Sequence, residues 1–288
     1  MFESYVKHIQ DTGFMRLVVL PFVVVLGVYL APSILMSAVS ALFGLPIDQL
    51  NLFIGAPSMI VTVIGASILM AKISKISYQD LGINTQFLGK QLIFGALAGF
   101  LSLALVALLI VSSGASQLSL VLRSDAVVGL CAGLIFFIFQ GTWEELMYRA
   151  YLMPHFAKKM GLVGSIILTS IIFTLGHALN PGMQALPVLN LFIAAVVFAL
   201  LYYYTGSLVI VGMAHGLWNF AQGCIFGAEV SGNHLAYTIF KAENIPSMEL
   251  ISGGSFGFEG SILTSILGLI FIMLFIYLIR RRKSQAAQ

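Results

Sequence analysis

The chain has 288 residues, 59% of them hydrophobic and only 9% charged, and its mean hydropathy is +1.02. Soluble domains run about 45 to 50% apolar, so these values exclude a soluble globular protein and define a polytopic membrane domain. The net charge of +3 does not imply nucleic acid, because the basic residues gather at the ends of apolar runs, where membrane topology puts them.

A spanning helix takes about 20 apolar residues, and the chain offers eight such runs. Lys7 and Arg16 precede the first, Leu17 to about Phe43, which is too long for the core of a cleaved signal peptide and carries a candidate kink at Pro32. A turn around Gly44 to Gln49 leads into a second run from about Leu50 to Ala71. A polar connection follows, containing Asp80-Leu81-Gly82, then a third run from about Gln91 to Ser112. After a polar piece, Ser113 to Asp125, a long helix is expected to continue to Ala157, with a turn at Lys158, Lys159 and Gly161.

The fifth run, from about Leu162 to Leu179, stops at Asn180-Pro181-Gly182, a strong breaker. The sixth covers about Ala185 to Tyr204, and Thr205-Gly206-Ser207 reverses the chain into a seventh that ends near Phe226. Residues 227–260 read as one long hydrophilic loop carrying Glu229, Glu243, Glu249 and Glu259. An eighth run, Ser261 to Ile279, ends at Arg280-Arg281-Arg282-Lys283, a topology anchor and an anionic-lipid contact.

The fold class expected is therefore all-α, a transmembrane bundle of about eight spans. Within this one membrane domain, residues 1–124 supply N-terminal helices, 125–226 a core, and 227–288 an external loop and last helix. Placing both termini in the cytoplasm puts Lys7, Arg16, Lys72, Lys75, Lys90, Lys158, Lys159 and the terminal basic run inside, with only Arg123 and Lys241 outside. That asymmetry sets the orientation. Cys131 and Cys224 lie in apolar runs and are read as reduced packing residues.

Three polar features interrupt the apolar spans. Glu144, Glu145 and Arg149 put three charges into the fourth, where each ionised side chain near a helix centre costs roughly 2.5 to 3.5 kcal/mol. Four-residue spacing pairs Glu145 with Arg149 and Glu144 with Tyr148. An ion pair offsets part of the cost for Glu145, and Glu144, with no opposite charge, is the candidate proton acceptor. The second feature is Phe173 to His177; the third is His215 and Asn219, again four apart. At 1.5 Å per residue, Glu144 and His177 lie about 22 and 27 Å from the turn at Lys159. His215 and Asn219 rise about 14 and 20 Å from Gly206 by the same measure. All four side chains can meet in one intramembrane cavity if the first hairpin projects beyond the bilayer.

His155 reads as an interfacial residue, His8 and His234 as solvated, and Tyr202 to Tyr204 as an interfacial aromatic belt.

Taken in order on three spans, Glu144-Glu145 with Arg149, Phe173 with His177, and His215 with Asn219 resemble the three motifs of the CPBP family, the CAAX-protease and bacteriocin-processing (Abi) membrane endopeptidases. The Asp80-Leu81-Gly82 segment is similar to a weaker upstream feature of bacterial members. The resemblance implies a peptidase in which Glu144 activates water with help from His177, His215 and Asn219 hold the oxyanion, and Glu145 with Arg149 supports the helix.

It implies no cofactor in the glutamate version. In a zinc version Glu144, His177 and His215 would be the ligands, although no His-Glu-x-x-His helix is present. The expected partner is a membrane-embedded or membrane-associated peptide or protein, in a bacterial plasma membrane. Two other classes compete: a proton-coupled transporter, since buried carboxylates and histidines also form relays, and a non-catalytic regulatory membrane partner.

Overall fold

The computed structural model describes residues 2–9, 13–44, 52–124 and 126–286. The expected turn at Gly44 to Gln49 beyond Gly44, the start of the second span at Leu50, and Asp125 lie outside them. Among the described residues seven continuous helices are long and apolar enough to cross a membrane, so the chain is an all-α multi-pass membrane protein. One of the seven, Ala126–Gly176, has 51 residues and is broken at Gly161 (φ 75°, ψ 172°). That glycine adopts a conformation other residues avoid, and its two arms are the fourth and fifth spans, giving eight passes.

The helices are α1 (Phe2–His8), α2 (Leu20–Phe43, entered through a π turn at Met15–Val19), α3 (Leu52–Ser74), α4 (Leu88–Ser112), α5 (Ala126–Glu145), α6 (Met153–Gly176), α7 (Ala185–Thr205), α8 (Leu208–Phe220), α9 (Glu249–Ser252) and α10 (Ile262–Ala286). Pro32 stays inside the continuous α2. A π-helical stretch, Leu146–Leu152, joins α5 to α6, and another, Ala221–Ile225, extends α8.

At the centre, α8 packs between α4 and α5, α3 covers α5, and α7 lies between α6 and α10. Without a hydrophobic driving force in lipid, helices associate where small residues let backbones approach, and the α5–α8 contact is of this kind. A methyl group on Gly141 would stand 2.5 Å from the backbone nitrogen of Gly216, and one on Gly216 would stand 2.5 Å from the Phe137 carbonyl oxygen. The contact places the turn carrying Glu144 and Glu145 against the turn carrying His215.

Residues 227–260 differ from the expected hydrophilic loop. They fold into a packed cap, because Ala228, Val230, Leu235, Phe256 and Phe258 bury their side chains. A strand β1 (Ser116–Leu120) pairs antiparallel with β2 (Phe240–Asn244), matching Ser116 to Asn244 and Leu120 to Phe240. The two-stranded sheet ties the cap to the α4–α5 connection.

His155 is buried instead of interfacial. Its Nδ1 donates to the Tyr151 carbonyl (2.7 Å) with the Tyr5 hydroxyl at 3.4 Å, and its Nε2 accepts from Ser74 (3.3 Å), which in turn meets the Tyr151 hydroxyl at 2.7 Å. Tyr202 is also buried, unlike Tyr203 and Tyr204. His8 is exposed and pairs with Asp80 at 3.0 Å; His234 is exposed, and both cysteines are free.

Candidate active site

Glu145 is the anchor of the polar cluster. It is fully buried, and its Oε1 accepts from Arg149 Nη1 at 3.1 Å and from His215 Nδ1 at 2.8 Å. Arg149 is 1% exposed. It also donates from Nη2 to the Ala195 carbonyl of α7 (3.2 Å), and its guanidinium lies 4.5 Å from the ring centroid of Phe173. One ion pair thus joins α5, α7 and α8 through Glu145 Oε1, while Glu145 Oε2 is buried without a hydrogen-bond partner.

Glu144 is placed differently. Its Oε1 accepts from Gln140 Nε2 at 2.7 Å and stands 3.8 Å from His177 Nε2, while its Oε2 stands 3.7 Å from His215 Nε2. Glu144 Oε2 is sealed from bulk solvent and has no hydrogen-bond partner. Both imidazoles are oriented from behind. His177 Nδ1 donates to the Phe173 carbonyl (2.9 Å) and His215 Nδ1 to Glu145, so in each neutral ring Nε2, facing Glu144, is the basic nitrogen. Phe198 stacks on His215 with centroids 4.7 Å apart and planes 15° apart, and Phe173 packs on His177 at 4.6 Å.

Asn219 enters through Gln140. Its Nδ2 donates to Gln140 Oε1 at 3.0 Å, and Gln140 passes a hydrogen to Glu144. An ionised carboxylate only accepts, which fixes the orientation of the Gln140 amide and hence that of Asn219. Gln140 was not among the residues expected from sequence. The signal for it was there, as an amide in an apolar span one turn upstream of Glu144.

The expected Glu144–Tyr148 pairing does not form. Glu144 takes its hydrogen bond from Gln140, one turn upstream. Tyr148 packs edge-on against Phe173 at 5.3 Å instead.

Glu144, His177, His215, Asn219 and Gln140 line a cavity of about 550 Å³ shared by α2, α4, α5, α6, α7, α8, α10 and the cap. Tyr29 and Trp143 close one side; they stack at 5.7 Å, and Tyr29 donates to the Gly176 carbonyl at 3.0 Å. Glu145 and Arg149 stand behind the lining, so all six expected site residues come together but in two tiers.

Among the described residues no three His, Cys, Asp or Glu side chains are grouped to hold a metal ion. His177 and His215 approach different oxygens of Glu144.

A helical membrane bundle whose inward-facing carboxylate stands between two oriented imidazoles belongs to the class of intramembrane proteins with a buried acid–base site. Residues 126–221 match the family model described as type II CAAX prenyl endopeptidase, Rce1-like, and the matched segment contains all six residues. Over that segment the chain is similar to this membrane-protease family. No curated protein and no solved structure matches the chain.

Proposed function

We propose that the protein is an intramembrane endopeptidase in which Glu144 is the general base for water. The observation that carries this reading is a cavity-lining carboxylate, held by Gln140 and set between two imidazole Nε2 atoms at 3.8 and 3.7 Å. Glu145, with its Oε1 already shared between Arg149 and His215 and no place on the cavity wall, is the support.

The reaction balances within these residues. Water that enters the cavity and reaches the Glu144 carboxylate gives it a proton, and the water oxygen attacks the substrate carbonyl carbon. The carbonyl becomes an oxyanion, which needs donors in a water-poor site. Asn219 has one amide hydrogen left after Gln140, and His215 donates from Nε2 when protonated. The carbon–nitrogen bond then breaks as the proton on Glu144, passed directly or through His177 Nε2, moves to the leaving amine. A positioned base or acid contributes roughly 10² to 10⁴ in rate.

The substrate is a peptide or the tail of a membrane-associated protein, a class the lipid-embedded cavity suits. The Lys and Arg asymmetry supports cytoplasmic termini, and the bacterial-type motifs support a bacterial plasma membrane.

Purified in detergent and offered a peptide library, the wild type should release fragments detectable by mass spectrometry. Glu144→Gln should lower turnover by about 10² to 10⁴; cleavage that survives the substitution removes Glu144 from the role. The imidazole orientations, each fixed at Nδ1 by an oxygen, also suit metal ligands. A tight chelator therefore decides between versions: unchanged activity fits the glutamate base, and loss restored by zinc would overturn it. Solute flux abolished by Glu144→Gln, with no peptide cleaved, would identify a proton-coupled transporter instead.

A further inference from the structure

The same cavity holds a second carboxylate that the chemistry above does not use. Its lining includes Glu144 and Glu259 but no lysine or arginine, and Arg149, the cation nearest Glu144, is already shared between Glu145 and Ala195. Glu259 comes from the cap, on a short 3-10 turn, Phe258–Gly260.

That turn is held rigidly. Gly257 before it has φ 95°, and a methyl group there would meet the Glu229 carbonyl oxygen at 1.9 Å, so only glycine fits. The Glu259 carbonyl accepts from Asn190 Nδ2 of α7 at 2.8 Å. Its side-chain Oε1 accepts from the Ser231 backbone N–H and, at 2.7 Å, from the Ser231 hydroxyl. Oε2 has no hydrogen-bond partner among the described residues and is not sealed by protein. Such a carboxylate is fixed through one oxygen and open through the other.

We propose that Glu259 is a specificity residue: its free oxygen receives a cationic nitrogen of the substrate, from a lysine or arginine side chain or a free amino terminus, in the cavity that contains Glu144. This rests on the peptidase reading for its substrate class. Burial pushes the Glu259 carboxyl up, against the hydrogen bonds from Ser231 and the fields of His177 and His215. A carboxylate whose charge is disfavoured by its surroundings gains most when a cation arrives to pair with it. The asparagines of the lining, Asn180, Asn190, Asn219 and Asn233, supply neutral dipoles and carry no positive charge.

Two measurements on the full-length detergent-solubilised protein test this. In the first, matched peptides carry lysine, acetyl-lysine or glutamate at one position, each with a free or an acetylated amino terminus. The ratio of kcat/KM for cationic over neutral peptides should exceed about tenfold in the wild type, the scale of a partly desolvated charge pair. It should fall toward one in Glu259→Gln, chiefly through KM, and Glu259→Lys should turn the preference toward the glutamate peptide. The free and acetylated arms say which nitrogen is read.

In the second, fluorescence anisotropy follows the same peptides binding to Glu144→Gln protein, with and without Glu259→Gln. A cation preference that depends on Glu259 in binding but with no cleavage in the wild type upholds the subsite and overturns the peptidase reading. Cleavage with a preference that Glu259→Gln leaves intact does the reverse. Should Glu259→Gln fail to fold, Ser231→Ala, which removes the hydroxyl and leaves Oε1 held by the backbone N–H alone, should weaken the preference. An unchanged ratio there overturns the proposal.

Discussion

Two buried polar clusters lie along the same helical arm, Ala126 to Met160, one around Glu144 and one around His155. Around His155, every side-chain polar atom has a partner: Tyr151 gives its hydroxyl to Ser74, Ser74 gives its own to the imidazole, and the imidazole returns to the Tyr151 carbonyl. Around Glu144, one oxygen of each of the two carboxylates is left without one. The first cluster is closed and packed; the second opens on a cavity. Burial of a histidine is common to both, so it distinguishes nothing. Unspent acceptors beside a cavity whose wall includes Glu144 are what mark the second as the reactive one, since buried polar groups are otherwise paired.

The largest effect should come from cutting the support of the open cluster. Arg149→Leu leaves Glu145 as an unpaired buried charge, and thermal unfolding in detergent should show a loss of about 3 to 5 kcal/mol. Unchanged stability would mean that Glu145 is not held as an ion pair. Next, Gln140→Leu removes the link between Asn219 and Glu144. Peptide turnover should drop about tenfold, some 1.4 kcal/mol in the barrier, with little change in KM; a pure KM effect would place Gln140 in binding.

In the closed cluster, His155→Phe leaves the Ser74 and Tyr151 hydroxyls short of a partner and should cost about 1 to 3 kcal/mol of stability, with kcat/KM within about twofold because no reacting atom is touched. A collapse of activity would erase the distinction drawn between the clusters.

The smallest effect lies outside the bundle at Asp80. Burial pushes its carboxyl up, but hydrogen bonds from Ser77 and His8 outweigh that and hold it below its ordinary 3.8. Its lowered value makes the stabilisation complete above pH 4 and lost as pH falls through the folded value. The loop is largely solvated, so Asp80→Asn should remove only about 0.5 kcal/mol, visible as a smaller drop in unfolding temperature between pH 5 and pH 3. An equal drop in both proteins would remove Asp80 from the account.

Much of this was legible in the residues. Hydropathy located the spans, Gly161 located the reversal, and counting residues from the turns put Glu144, His177 and His215 at one depth. What escaped depended on rotation or on distant partners. Four-residue spacing offers Glu144 a partner on either side; Tyr148 is the one expected, whereas the partner is Gln140, four residues upstream. Residues 227–260 look polar because their aromatic residues are spread among glycines and serines. Only the docking of Phe256 and Phe258 into the bundle shows them to be a cap, and only that docking brings Glu259 to the cavity.

The contact between Gly141 and Gly216 has one further consequence. Because main chain meets main chain there, the spacing of α5 and α8 is set without any side chain that could be exchanged for a larger or smaller one. The facing walls, from α7, α10 and the cap, meet the cavity mostly through side chains. Rate and selectivity are therefore separable: the wall residues can be replaced to admit a new peptide while the distance from Glu144 to His215 stays as it is.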